Sequence, residues 1–206
     1  MRSLSPRGRP RGFDADTALD AAVEVFWRHG YEGASLDDLT RAMGINRPSM
    51  YAAFGNKEQL FRAAVARYAE VDMAYAREAL AEETAAEVAA SLLRRNVESV
   101  TRPGRPPGCL TVQGGTACGA DNEAVAEFLA ASRLAGERQL AERFARAVTD
   151  GDLPADADPD ALARFVMMVA EGNAVHAAAG VGPEQLLAAT EIALSAFVAR
   201  DAGART

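Results

Sequence analysis

Four side chains between positions 47 and 57 have the chemistry that contacts nucleic acid. Arg47 can pair with guanine through two parallel hydrogen bonds, and Ser49 can donate to a base or a phosphate. Tyr51 can reach a phosphate oxygen, and Lys57, the only lysine in the chain, can add a charged donor at the start of a helix. These groups can act together only if a helix carries Arg47, Ser49 and Tyr51 into the major groove of DNA.

The segment before Arg47 predicts the first of two short helices that would position these side chains. Ser35, with Asp38 three residues later, forms the pattern of a capping box. Leu36, Leu39 and Met43 follow as an apolar stripe at helical spacing. One short helix is therefore expected directly after Ser35.

A tight turn then leads into the second short helix. Gly44 can adopt the left-handed conformation that ends a helix. Asn46 can cap the next helix, and Pro48 is tolerated in its first turn. Two short helices joined in this way form a helix-turn-helix, and its second helix, here Asn46–Phe54, enters the major groove.

The run GYEGASLDDLTRAMGINRPSMYAAFGNKEQLF resembles the DNA-binding signature of the TetR family of bacterial repressors. Four positions depart from the family pattern: Ala34 stands where Thr is usual, Pro48 where Gly is frequent, and Ala52 with Ala53 where a bulky side chain is frequent. The resemblance implies that Tyr51 and the lysine hold phosphates and that the chain dimerises through its last two helices. The residues at family positions are Phe26, Gly30, Tyr31, Leu39, Gly44, Tyr51, Phe54, Lys57, Glu58 and Phe61.

The charge distribution supports a DNA-facing N-terminus on an otherwise acidic chain. The net charge of −7 argues against a nucleic-acid binder by itself. Residues 1–12, however, carry four arginines and no acid, and residues 1–62 have a net charge of +1 while residues 63–206 have −8. The arm over residues 1–13 is rich in Pro, Gly and Arg, so we expect it to be disordered and to reach DNA. The alternative is that the arm is only a solubilising tail.

The predicted DNA interface combines this arm with the helix-turn-helix. Its partner is a double-stranded operator. The residues assigned to it are Arg9, Arg11, Ser35, Asn46, Arg47, Pro48, Ser49, Tyr51 and Lys57.

Apolar periodicity and breaker residues predict an all-α fold for the rest of the chain. We expect a helix-turn-helix domain over residues 14–61 and a larger helical ligand-binding and dimerisation domain over residues 62–206. Six further helices are predicted, with the loop RPGRPPG at residues 102–108 between the second and the third. They cover residues 57–80 as one long connecting helix, 85–100, 109–119 as a short irregular helix, 122–147 with a solvated face that includes Arg143, 159–179 and 183–200.

Several residues of this larger domain are candidates for binding a small-molecule effector. Asn173 and His176 lie three apart on an otherwise apolar helix, where they are either satisfied core or dimer groups or groups that orient a ligand. Cys109 and Cys118 are either buried inert thiols or redox sensors. The candidate ligand-binding residues are Cys109, Gln113, Phe128, Phe165, Met168, Asn173 and His176.

These patterns lead to one functional hypothesis and one rival. No nucleophile with a base, no phosphate loop and no metal-ligand spacing is present in the sequence, so we predict neither an enzyme nor a cofactor or metal site. No apolar run approaches the roughly 18 residues of a membrane span, and we expect a cytoplasmic protein. The hypothesis is a homodimeric repressor, joined through helices 159–179 and 183–200, that a small molecule releases from its operator. The rival is a ligand-independent architectural DNA-binding protein.

Overall fold

The computed structural model describes residues 13–114 and 122–202, and within these two ranges it contains helices and turns but no strand, as predicted. The short helix α7 confirms the start of the irregular helix predicted over residues 109–119, and residues 115–119 lie outside the described ranges. The helices are α1 (Ala15–Gly33), α2 (Leu36–Ala42), α3 (Arg47–Phe54), α4 (Lys57–Val71), α5 (Ala74–Ala79), α6 (Ala85–Val100), α7 (Leu110–Gln113), α8 (Glu123–Thr149), α9 (Pro159–Ala178) and α10 (Pro183–Ala202).

Helices α1 to α4 pack around a group of aromatic side chains. The Phe61 ring meets the Phe26 ring edge-on, with centroids 4.9 Å apart, and it meets the Tyr31 ring at 5.2 Å. Trp27 and Tyr68 form a second edge-on pair at 4.8 Å. Edge-to-face pairs of this kind add to the stabilisation that the buried area provides. These contacts fix α1 against α4, so the helix-turn-helix rests on a well-packed base.

Side-chain caps set where the short helices begin. Asn46 Oδ1 accepts from the backbone N–H of Ser49 at the start of α3. Asn56 and Gln59 form a complete capping box at the start of α4. Ser35 caps α2 by accepting from the backbone N–H of Asp38, while its hydroxyl donates to the carboxylate of the same residue.

The connecting helix breaks at Asp72 and does not run on to about Leu80, so the prediction of one long helix is wrong. The carbonyl of Asp72 accepts from Ser99 Oγ, and its buried carboxylate receives the guanidinium of Arg105 at 2.8 Å. Arg77 donates to the carbonyls of residues 69 and 70 near the end of α4. Ser99 and Arg77 thus satisfy carbonyls that a continuing helix would have used, while Arg105 neutralises the Asp72 carboxylate, and the chain turns into α5.

The buried apolar side chains form two clusters. One joins α1–α4 to the adjoining ends of α6 to α10 and contains the aromatic side chains described above. The other lies within α5, α6, α8, α9 and α10, where aliphatic and alanine side chains predominate. Arg143 on α8 is buried and donates to the carbonyls of Glu82 and Glu83, so its prediction as part of a solvated face is wrong. Its guanidinium satisfies these two carbonyls in the turn before α6.

Among the described helices, none is both long and apolar enough to cross a membrane.

Candidate nucleic-acid interface and effector cavity

Helix α3 presents its N-terminal half to solvent. Met50 is completely buried and holds the helix down, whereas Tyr51 is 48% exposed on the opposite side. The Arg47 guanidinium lies 2.9 Å from Asp37 Oδ1 at the start of α2, and both side chains are exposed. No local pattern in the sequence indicates this pair, because the two residues lie ten positions apart on different helices. Asp37 therefore orients Arg47 in the free protein.

Lys57 lies at the first position of α4 with its Nζ 4.6 Å from the centroid of the Tyr31 ring. Burial lowers the pKa of Lys57, and the Glu32 carboxylate opposes that shift. The ring restricts where the ammonium can point, and the helix N-terminus adds partial positive charge beside it. The arrangement favours an anion at this helix end.

The other residues predicted to contact DNA have different surroundings. Ser35 and Asn46 are exposed, but each already uses its side-chain oxygen as a helix cap. Pro48 is exposed in the first turn of α3 and Ser49 is half-buried. Arg9 and Arg11 lie outside the described residues. Phe13, which was predicted to belong to the disordered arm, packs against Phe54. The centroids of the two rings are 6.5 Å apart.

A cavity of about 520 Å³ lies between α4, α5, α6, α7, α8 and α9. Its volume falls within the range of small-molecule sites. Most of its wall is apolar, with alanines on α4, α5, α8 and α9 leaving room where larger side chains would fill it. The apolar wall includes Val65, Met73, Leu80, Leu92, Val112, Phe128, Leu140, Met167 and Ala170.

One part of the cavity wall is polar and continues into the protein interior as a chain of hydrogen bonds. Asn96 Nδ2 donates to Tyr75 Oη at 3.2 Å, and both residues line the cavity. Asn173 Nδ2 lies 3.3 Å from Asn96 Oδ1 and 3.1 Å from Thr190 Oγ1. Burial raises the pKa of Tyr75 to about 12. The chain thus links the cavity to α9 and α10.

A second polar edge of the cavity carries charge. Arg133 donates to the carbonyl of Thr111 at 2.7 Å and lies 3.7 Å from the Glu171 carboxylate. Burial raises the pKa of Glu171, and the Arg133 charge only partly opposes that shift. Arg62 lies over the Phe128 ring and pairs with Glu58 of its own helix.

The structure brings together only two of the seven residues predicted to bind a ligand, since Cys109 and Phe128 both line the cavity. Asn173 lies behind the wall and is satisfied by Asn96 and Thr190. Three others, Phe165, Met168 and His176, lie on the exposed surface of α9. Gln113 packs beside Gly108, where an added Cβ would lie 2.5 Å from Gln113 Oε1.

Cys109 is buried, with its Sγ 3.1 Å from Thr111 Oγ1.

The sequence did not indicate Tyr75 and Asn96 as site residues, because their partners lie on other helices. Cys118 lies outside the described residues.

The loop after α6 connects the effector cavity to α1. Its Arg105 binds the buried Asp72 at the end of α4 and also lies 3.2 Å from the Glu24 carboxylate on α1. The Cζ atom of its guanidinium lies 5.8 Å from the centroid of the Trp27 ring. The loop is therefore anchored by Arg105 and is not free of the body. Met73 and Tyr75, which line the cavity, follow Asp72 closely in the chain.

A helix-turn-helix with an exposed second helix, joined to a helical body that encloses a small-molecule-sized cavity, defines a DNA-binding transcription regulator. Two family models match the chain, "Bacterial regulatory proteins, tetR family" over residues 18–64 and "Tetracyclin repressor-like, C-terminal domain" over residues 89–193. The chain belongs to the TetR family, whose members are transcription regulators and not enzymes.

Similar proteins agree with this assignment along most of the chain. The HTH-type transcriptional repressor ComR of Escherichia coli is 35% identical over 88% of this chain and 87% of its own. The transcriptional regulator AcuR of Cereibacter sphaeroides is 31% identical over 94% and 92%. A solved structure of a cysteine mutant of the TetR family transcriptional regulator CifR, complexed with 26-bp double-strand operator DNA, is 47% identical. It covers 92% of this chain and all of its own, with a TM-score of 0.88.

Proposed function

We propose that this regulator is a repressor that leaves its operator when a small molecule occupies the cavity between α4 and α9. The position of the cavity carries the proposal. One wall belongs to α4, which also starts at Lys57 beside the DNA-facing helices, and the opposite wall belongs to α9. A molecule that separates these walls changes the direction of α4 relative to the body. It acts as an effector if it binds the DNA-incompetent arrangement more tightly.

In this proposal Arg47 reads a base, whereas Tyr51 and Lys57 hold phosphates. Arg47 and Lys57 occupy the first positions of α3 and α4, and Tyr51 is exposed on α3, which supports these roles. Ser49 and Pro48 contact the DNA surface, and Ser35 and Asn46 act mainly as caps. The arginines of the arm follow the DNA backbone.

We further propose that two copies join through α9 and α10, an arrangement typical of the family. The described surface of these helices carries large exposed apolar side chains, with Ile192 73% exposed and Met168 66% exposed. Phe165 and Val175 extend the same apolar character on α9. Phe197 packs inside the protomer against Phe144, with ring centroids 5.6 Å apart, and so does not belong to this exposed surface. Ile192→Asp should therefore split the dimer, and sedimentation measures whether monomers form.

The proposed regulator acts on DNA in the cytoplasm, with an N-terminal DNA-binding domain over residues 14–61 and the effector domain after it. An architectural DNA-binding protein does not need an effector site. The cavity therefore favours the ligand-released repressor over the architectural alternative.

The test is a cavity-filled variant in a transcription reporter. DNA fragments selected by the purified protein supply the operator, and a library of small organic compounds supplies inducers. Gly136→Leu directs a side chain into the cavity, where an added Cβ meets only Met167 Cε, at 3.9 Å. We expect this variant to bind the operator normally and to ignore compounds that release the original protein. If Gly136→Leu responds to the same compounds as the original protein, the effector site lies elsewhere. If no compound releases the original protein from its operator, the architectural alternative is favoured.

A further inference from the structure

The cavity has one polar corner in which a hydrogen-bond donor is left over. Asn96 Nδ2 donates to the phenol oxygen of Tyr75, so that contact does not use the phenol proton. Across residues 13–114 and 122–202, no acceptor takes this proton. A buried donor without a partner costs free energy, and the Tyr75 hydroxyl lies where a cavity occupant can accept from it.

The orientation of the Asn96 amide is set from behind the cavity wall. Its oxygen faces the Nδ2 of Asn173, and that same nitrogen donates to Thr190 Oγ1. Asn96, Asn173 and Thr190 are all buried. With the amide oxygen of Asn96 towards Asn173, its nitrogen faces Tyr75. In this arrangement the Tyr75 hydroxyl is left as a donor.

The charged groups of the wall do not offer a free site for an anion. Arg62 pairs with Glu58 at 2.8 Å, and Arg133 binds the Thr111 carbonyl while facing Glu171. Arg77 donates to two backbone carbonyls near the end of α4. A charged ligand would have to compete with these contacts and lose its own hydration in an apolar cavity.

We propose that Tyr75 Oη is the polar anchor of the cavity and that it selects an uncharged, mainly apolar molecule with one accepting oxygen, such as a ketone or an ester. This inference rests on the cavity being the effector site. The Tyr75 hydroxyl donates to the ligand oxygen, Asn96 holds the phenol in place, and the aliphatic wall takes the rest of the molecule. Burial raises the pKa of Tyr75 to about 12, so the Tyr75 hydroxyl keeps its proton at neutral pH.

Prodan, 6-propionyl-2-(dimethylamino)naphthalene, provides the direct test, because it is uncharged, largely apolar and has a ketone oxygen whose hydrogen bonding shifts its emission. The full-length protein is titrated with prodan without DNA, beside Tyr75→Phe. We expect Tyr75→Phe to weaken binding about 5- to 10-fold, which corresponds to one neutral hydrogen bond, and to shift the bound emission to the blue. Tyr51→Phe removes an equivalent hydroxyl outside the cavity and should change neither quantity.

Two further probes separate the anchor from general effects on the cavity. The first, 2-(dimethylamino)naphthalene, lacks the oxygen and should bind the original protein and Tyr75→Phe equally, which also shows that the variant keeps its cavity. The second, 6-(dimethylamino)naphthalene-2-carboxylate, is an anion and should bind more weakly than the ketone. Equal prodan affinity in Tyr75→Phe, tighter binding of the carboxylate, or no saturable prodan binding would each overturn the proposal.

The proposal that Tyr75 anchors the ligand and the proposal that a ligand releases the operator can fail independently. Probe fluorescence reports cavity binding in the absence of DNA, whereas the polarisation of a labelled operator reports release. A ketone that binds through Tyr75 and leaves operator affinity unchanged would support the anchor and contradict ligand-driven release by that molecule. A released operator with equal prodan binding in Tyr75→Phe would contradict the anchor alone.

Discussion

The two apolar clusters differ in how they are built. The cluster around α1–α4 contains interlocking rings, with Phe61 in contact with both Phe26 and Tyr31. The cluster within the body contains mainly aliphatic and alanine side chains, and in its described part the ring contact is that between Phe144 and Phe197. Large rings in edge-on contact fill space closely, whereas alanine-rich helix faces leave gaps. The part that carries the helix-turn-helix is tightly packed, and the part that carries the cavity has room.

The cavity lies where the two clusters meet. Val65 and Ala174 of its wall belong to the cluster around α1–α4, whereas Leu92 and Leu140 belong to the body cluster. In the proposed mechanism, an occupant at this boundary would change the spacing of two packed units without disrupting either one. Packed cores respond to such changes by shifting as units, since they are not continuously deformable. Ligand binding would then be coupled to the position of the DNA-facing helices.

The largest expected difference between the two regions concerns loss of side-chain volume. Phe61→Ala removes a completely buried ring and should lower the free energy of unfolding by about 3 to 5 kcal/mol. Met167→Ala enlarges a space that already exists and should cost less than about 2 kcal/mol. Urea denaturation of both variants at one protein concentration measures the difference. Equal costs would mean that the body is packed as closely as α1–α4.

The next prediction concerns Arg105, which holds the two regions together. Arg105→Ala leaves the buried carboxylate of Asp72 with Arg102 as its nearest cation, at 3.7 Å. Breaking a buried pair costs about 3 to 5 kcal/mol, and we expect about 2 to 3 here because Arg102 partly compensates. Arg94→Ala, which removes an exposed pair with Glu191, should cost less than about 1 kcal/mol.

Thermal or urea unfolding of both arginine variants provides the comparison. A double change of Arg105 and Asp72 to apolar residues should recover much of the loss, since it removes the isolated buried charge. A similar cost for Arg105→Ala and Arg94→Ala would show that the loop does not tie α1 to the body.

The sequence predicted the helices whose signals are local. The range 85–100 was predicted for α6 and is observed, and the caps Ser35 and Asn46 lie where the sequence placed them. The break at Asp72 has no Gly or Pro to mark it, since its cause is an arginine 33 positions further along the chain.

The cavity was harder to predict than the DNA-facing helices for the same reason. The helix-turn-helix is a local pattern in consecutive residues, whereas the cavity is assembled from six helices. Cys109 and Phe128 are the two predicted ligand-binding residues that line it. Tyr75 looks like an ordinary apolar-face residue until Asn96, 21 positions away, is placed beside it. Asn173 was recognised as a polar residue needing partners, but its partners could not be identified.

Base preference should depend on α3 and be independent of the body. Arg47→Ala should relax the preference at one operator position by about 1 to 3 kcal/mol. Lys57→Ala should weaken binding to all sequences alike, because a phosphate contact carries no base information. Operator titrations on a panel of single-base variants distinguish the two effects, with Arg133→Ala in the body as the control. A uniform loss for Arg47→Ala would make Arg47 a phosphate contact.

The smallest expected effect is a pH dependence from the cavity edge. Burial holds the pKa of Glu171 above its ordinary value, so on raising pH the unfolded chain loses this proton before the folded chain does. Between the two pKa values the native state holds more protons than the unfolded state, and stability therefore falls as pH rises through that window. A glutamine side chain cannot ionise, so the advantage of the Glu171→Gln variant over the original protein should grow from about pH 4.5 towards neutrality. The slope should be small, because Glu171 is 38% exposed and water screens its charge. Urea midpoints of both proteins across this pH range measure the difference, and an advantage that shrinks with rising pH would show that the Arg133 charge outweighs burial.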